Sequence, residues 1–125
     1  MPPRRVLEDT FAALKKLFTP YAEDFDVAAD EPGRYYLVSR TAKTRSGSPV
    51  WFGGVEIKKN YVSFHLIPVY MTPALLRGVS PSLLKRMHGK SCFNFTAVGG
   101  SEVEELTRLT QQSRAAFSGW SGEQA

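Results

Sequence analysis

The residues of this chain best suited to chemistry stand in two short alternating runs. Glu56, then Tyr61, Ser63 and His65, sit where a hairpin's alternation brings them to one face, because side chains of an extended strand point to opposite sides in turn. Cys92-Phe93-Asn94-Phe95 alternates in the same way, so Cys92 and Asn94 join that face when their strand belongs to the same sheet. Carboxylate, phenol, hydroxyl, imidazole, thiol and carboxamide together donate, accept and titrate. Lys58 and Lys90 supply positive charge. Gly54 falls opposite His65 in the register argued below and leaves the imidazole uncrowded, as a small ligand requires. The candidate ligand-binding set is Gly54, Glu56, Lys58, Tyr61, Ser63, His65, Cys92 and Asn94. Its expected occupant is a small polar or anionic molecule.

Stronger chemistry finds less support in the spacing. Cys92 and His65 suggest a nucleophile and its base, with Glu56 to orient the imidazole. Nothing local fixes their separation, and an isolated cysteine commonly serves as a small buried hydrophobe, so no catalytic residue is assigned. A metal site from the same three lacks ligand spacing, and no cofactor is expected. Gly89-Lys90-Ser91 has the look of a phosphate-loop ending, but Leu84 stands where the loop needs glycine, and a strand follows instead of a helix. The competing reading of the mixed face is plain wet surface, or a homodimer interface built on Phe52, Tyr61 and Ile67.

The elements that must position these residues are a hairpin and its neighbours. Arg34 to Arg40, Val50 to Ile57 and Tyr61 to Ile67 form a three-strand meander, with a polar tip at Thr41 to Pro49 and a tight turn at Lys58-Lys59-Asn60-Tyr61, where Asn60 tolerates positive φ. With Lys59-Asn60 as the loop, Lys58 lies opposite Tyr61, Ile57 opposite Val62, Val55 opposite Phe64 and Gly54 opposite His65. Paired residues share a face. One face then collects Trp51, Val55, Ile57, Val62, Phe64 and Leu66 as the core side; the other collects Phe52, Gly54, Glu56, Lys58, Tyr61, Ser63, His65 and Ile67. A one-residue slip would scatter the apolar set.

Helices flank the meander. Leu7, Phe11, Leu14, Leu17 and Phe18 make one apolar stripe in a helix from about Val6 to Phe18, stopped at Thr19-Pro20. Tyr21 to Pro32 reads as an acidic connection closing in the turn Glu31-Pro32-Gly33. Two short helical turns, Thr72 to Gly78 and Ser80 to Gly89, each place a hydroxyl residue, then proline, then a terminal glycine. A fourth strand, Lys90 to Thr96, turns Phe93 and Phe95 inward. The last helix starts at Ser101 with Glu104 completing a capping box, presents Val103, Leu106, Leu109, Thr110, Ala116 and Phe117, and stops at Gly119. The expected fold is α+β: an antiparallel sheet of about four or more strands against N- and C-terminal helices, with two short helical turns before the last strand.

At 125 residues, 42% hydrophobic and 22% charged, the chain suits a single domain, 1–125, with flexible tails at about 1–4 and 119–125. No apolar run approaches a signal peptide or the roughly 20 residues of a membrane span. One cysteine permits no internal disulfide, and cytoplasm is the expected compartment. The net charge of +4 is uneven: ten basic residues from Arg34 to Lys90 face one acid, Glu56. Lys58, Lys59, Lys85, Arg86, His88 and Lys90 could touch phosphates, and Tyr35, Tyr36, Trp51 and Tyr61 could stack on bases. Without a helix-turn-helix or RNA-sheet signature, nucleic acid is not the expected partner and stands as an alternative.

Phe52-Gly53-Gly54, the run from Lys59 through Asn60, Tyr61, Val62, Ser63, Phe64 and His65 to Leu66, and Gly89 to Phe95 followed by the Leu106 and Leu109 helix resemble the YdhG-like family. These are bacterial proteins of unassigned function whose fold is similar to frataxin. The resemblance covers roughly residues 50 to 117. It implies the helix-backed antiparallel sheet and a non-catalytic binding domain, with intracellular iron or metal handling as an alternative. No metal ligand carries over: Glu8, Asp9, Glu23, Asp24, Asp26, Asp30 and Glu31 follow no ligand spacing.

Overall fold

The computed structural model describes residues 2–117. Its alternating segments pair as one five-stranded antiparallel meander, β1 (Asp26–Glu31), β2 (Arg34–Lys43), β3 (Pro49–Ile57), β4 (Val62–Leu66) and β5 (Cys92–Phe95), in chain order across the sheet. Helices α1 (Arg4–Lys15), α2 (Ile67–Met71), α3 (Pro81–Leu84) and α4 (Gly100–Phe117) complete the α+β fold, with 3-10 turns at Thr19–Asp24 and Pro73–Leu76. No helix among the described residues is long and apolar enough to cross a membrane.

Apolar periodicity explains why the helices sit where they do. Leu7, Phe11 and Leu14 of α1, Val69 of α2, Leu83 of α3 and Leu106, Leu109 and Phe117 of α4 enter a single core with Val55, Val62, Phe64, Leu66, Phe93 and Phe95 of the sheet. The Phe18 ring stacks on Phe64 at 4.8 Å between centroids, and Phe25 stacks on Phe52 at 4.6 Å. Burying side chains of this size contributes about 1.5–3 kcal/mol each. One sheet face thus carries the helices, while side chains of the other stay outside that cluster.

The hairpin register agrees with expectation at every pair: Gly54 with His65, Val55 with Phe64, and Ile57 with Val62. The turn is closed by Lys58 N–H donating to the Tyr61 carbonyl at 2.7 Å. No non-glycine residue described has positive φ, so the turn does not use Asn60 in that way. In β3 the face assignment departs from the expected alternation where β2 passes from Leu37 to Val38. Leu37 pairs with Gly53 and Val38 with Trp51, leaving Phe52 as an extra residue in β3. Such a bulge reverses the alternation beyond it. Phe52 therefore turns into the core, fully buried, and Trp51 turns out with 41% of its surface exposed. A homodimer seated on Phe52, Tyr61 and Ile67 loses its anchor, for Phe52 is inside and Ile67 opens α2 instead of ending a strand.

Other boundaries move for local reasons. The acidic connection contains β1, whose pairing to β2 through Pro32 and a positive-φ Gly33 overrides the low strand propensity of Asp26, Asp30 and Glu31. α1 starts at Arg4, inside the segment expected as a tail, and ends at Lys15, with Leu17 and Phe18 still buried beyond it. Three short helical segments precede β5, because Pro68 near the start of α2 adds one to the two expected. α4 starts at Gly100, and Glu102, not Glu104, reaches back to accept from the Gly99 N–H at 2.9 Å. Gly119 and the tail at 119–125 lie outside the described residues.

One detail of α4 works against stability. Ser113 is fully buried and its Oγ has no hydrogen-bond partner among the described residues. An unmade buried hydrogen bond costs about 1–3 kcal/mol. Ser113→Ala should therefore raise the unfolding free energy by about 1 kcal/mol in urea denaturation; a loss of stability would mean that the hydroxyl is bonded.

Candidate functional site

β4 lies between β3 and β5, and that placement assembles the polar face. His65 pairs with Gly54 on one side and Cys92 on the other, and Ser63 pairs with Glu56 and Asn94. Because directly paired residues share a face, Ser63, His65, Cys92 and Asn94 meet. Ser63 Oγ lies 2.8 Å from Cys92 Sγ and 3.1 Å from His65 Nε2. Cys92 Sγ is 3.9 Å from that nitrogen and 3.4 Å from Asn94 Oδ1. Ser63 is only 2% exposed, whereas His65, Cys92 and Asn94 are half-buried and open to solvent.

Counting protons orders this cluster. The serine hydroxyl, the thiol and the neutral imidazole carry one polar hydrogen each. One direction satisfies three contacts at once: His65 Nε2–H donates to Ser63, Ser63 donates to Cys92, and the thiol donates to Asn94 Oδ1. In the reverse direction the thiol gives its proton to Ser63 and Ser63 gives to Nε2, which abandons the Asn94 contact. A nucleophilic Cys92 needs His65 Nε2 as its acceptor, through Ser63 or directly across 3.9 Å, and the forward chain uses that nitrogen as a donor. The forward chain leaves His65 Nδ1 as an acceptor and the Asn94 amide hydrogens as donors, neither used by another described residue.

A second group supports the first from β2 and β3. The Tyr36 phenol donates to Glu56 Oε1 at 2.7 Å, and Lys58 Nζ lies 3.4 Å from the same oxygen. The Tyr36 ring packs on Trp51 at 4.7 Å and stands 6.2 Å from the His65 ring, with the Arg34 guanidinium 5.4 Å from its centroid. Burial first, then the bonded Glu56 carboxylate, push the phenol far above its ordinary range. For Glu56, burial works toward protonation, but the Tyr36 hydrogen bond and the Lys58 charge outweigh it and hold the carboxyl below its ordinary value. Burial and then Lys58 hold His65 below 6.5, with Glu56 opposing them weakly. The imidazole therefore favours its neutral form at pH 7, although the Nε2–H that the forward chain uses is present in either protonation state.

The expected residues divide cleanly. Glu56 and Lys58 form a pair beside Tyr36; Ser63, His65, Cys92 and Asn94 form the bonded cluster. Tyr61, 37% exposed, sits at the turn end of the hairpin and joins neither. Gly54 does not leave vacant space beside His65: a Cβ there would overlap the Tyr36 ring and the Tyr35 carbonyl. The glycine makes room for Tyr36. Lys90 lies with its ammonium 5.8 Å from the Tyr70 ring instead of entering the cluster. Tyr36 and Trp51 are the residues that sequence reasoning missed at this site. The signal was present in Gly54, whose missing side chain requires a large neighbour across the strand pair.

Several acids elsewhere are paired with bases. Asp24 pairs with Arg114, Asp26 with Arg40, Asp30 with Lys15 and Glu31 with Arg34. No group of three or more His, Cys, Asp or Glu among the described residues is placed to hold a metal ion. Arg86 is taken by Glu102, and Tyr35 and Tyr36 are buried, which removes two of the four rings available for stacking on bases. Compared with protein-family models, curated proteins and solved structures, the chain matches none.

The His65 environment has a consequence for pH. A base with a depressed folded-state pKa adds stability above its unfolded value, and that stability is lost as pH falls from about 6.5 through the folded value. Wild type should therefore lose more unfolding free energy than His65→Gln between pH 7.5 and 5.5 in chemical denaturation. Parallel curves for the two proteins would show an imidazole that titrates as in the unfolded chain.

Proposed function

We propose that this chain is a non-catalytic binding domain whose uncovered sheet face holds a small polar ligand beside His65. The observation that supports this most is the pair of unused groups in the Ser63, His65, Cys92 and Asn94 cluster. Asn94 offers donors and His65 Nδ1 an acceptor, on a rim where the Trp51 indole supplies apolar surface. A ligand suited to it carries a hydrogen-bond donor and an acceptor on adjacent atoms, as a carboxamide or a hydroxy acid does. Lys58 is paired with Glu56 and so does not demand a high negative charge of the ligand. This is the kind of role implied by the resemblance to the YdhG-like family.

A thermal-shift screen of small amides, hydroxy acids and amino acids tests the reading. A compound present at about 100 times its Kd stabilises by about 2.7 kcal/mol, several degrees in Tm for a domain of this size. At least one compound should do so in wild type and lose roughly tenfold in affinity with Asn94→Ala or His65→Gln. Stabilising compounds that bind both variants unchanged, or no stabilising compound in any class, would remove the proposal.

A further inference from the structure

A recess of about 80 Å³ opens between α4 and the chain that follows the 3-10 turn Pro73–Leu76. Arg77, Glu105, Arg108 and Gln112 supply its polar lining, over Val79 and Leu109. Its charges are distributed so that the carboxylate is already occupied. Ser80 donates through its hydroxyl to Glu105 Oε1 at 2.5 Å and through its backbone N–H to Oε2 at 2.9 Å. Those two bonds, with Arg108 adding to them, hold the carboxyl below its ordinary range.

Neither Arg77 nor Arg108 forms an ion pair among the described residues, whereas Arg4, Arg34, Arg40, Arg86 and Arg114 each reach a carboxylate. Two arginines therefore line one small space with no carboxylate among the described residues within ion-pair distance of either, Glu105 being bonded to Ser80 and acting on Arg108 only at longer range. Like charges so placed repel, and an oxyanion between them converts repulsion into paired, charge-assisted hydrogen bonds. The planar fork of arginine matches the edge of a phosphate group better than a lysine ammonium would. Gln112 adds an amide donor. The recess has room for such a group.

We propose that this recess binds a phosphate group, held between Arg77 and Arg108 with Gln112 as a third contact. The site is separate from the sheet face and does not depend on the ligand proposed there. Glu105 remains bonded to Ser80 and confines the anion to the arginine side.

Arginine side-chain NMR tests this on the full chain, with inorganic phosphate and glycerol phosphate titrated separately at constant ionic strength against chloride. The Nε–H signals of Arg77 and Arg108 should shift saturably with phosphate and not with chloride. Arg77→Gln and Arg108→Gln, both exposed positions, should each weaken binding roughly tenfold. Equal affinities identify the free ion as the occupant, and tighter binding of the ester identifies a phosphorylated small molecule; either result supports the site. Shifts that follow chloride equally, or affinity unchanged in either variant, would overturn it.

Discussion

The double pairing of β4 is the constraint on which the rest of this structure depends. Its Phe64 lies between Val55 and Phe93, and its Ser63 and His65 lie between Glu56 and Gly54 on one side and Asn94 and Cys92 on the other. Since the side-chain period is two, these arrangements are one decision. Moving β4 by a single residue would expose Val62, Phe64 and Leu66, at about 1.5–3 kcal/mol each, and would dismantle the polar cluster in the same step. The core therefore holds the candidate site in place without any residue serving both.

Neutrality of the site follows from its position on the sheet. Ser63 is buried although it faces away from the helices, hemmed in by His65 and Cys92 and by its strand partners Glu56 and Asn94. Water is thinned around the imidazole, and Lys58 adds its charge to the same effect. The imidazole Nε2–H starts a one-directional chain of hydrogen bonds ending on Asn94. The same chain weakens the case for Cys92 as a nucleophile, whose proton would have to run the other way. It leaves the cluster with defined donors and acceptors on the open face.

Much of this was legible in the residues. The Lys58 to Tyr61 turn, the pairing of Gly54 with His65, the inward Phe93 and Phe95 and the apolar stripe from Leu7 to Phe18 all follow from periodicity and turn chemistry. The exchange of Phe52 and Trp51 was not read, because Gly53-Gly54 hints at a bulge without saying which neighbouring residue it displaces. β1 was hidden by its own acids, which form a strand only because β2 lies beside them and Lys15, Arg34 and Arg40 neutralise them. Tyr36 was missed as part of the site since adjacent tyrosines give no face assignment until β2 is registered against β3. The occupied Glu105 carboxylate, on which the arginine recess depends, rests on a contact across 25 positions of chain.

The most direct measurement is a double-mutant cycle on folding stability with Ser63→Ala, Cys92→Ala and the two combined. If hydroxyl and thiol belong to one bonded chain on the open face, their removal should be non-additive, with a coupling of about 0.5–1.5 kcal/mol. Strict additivity, each truncation acting as though the other residue were absent, would contradict the account.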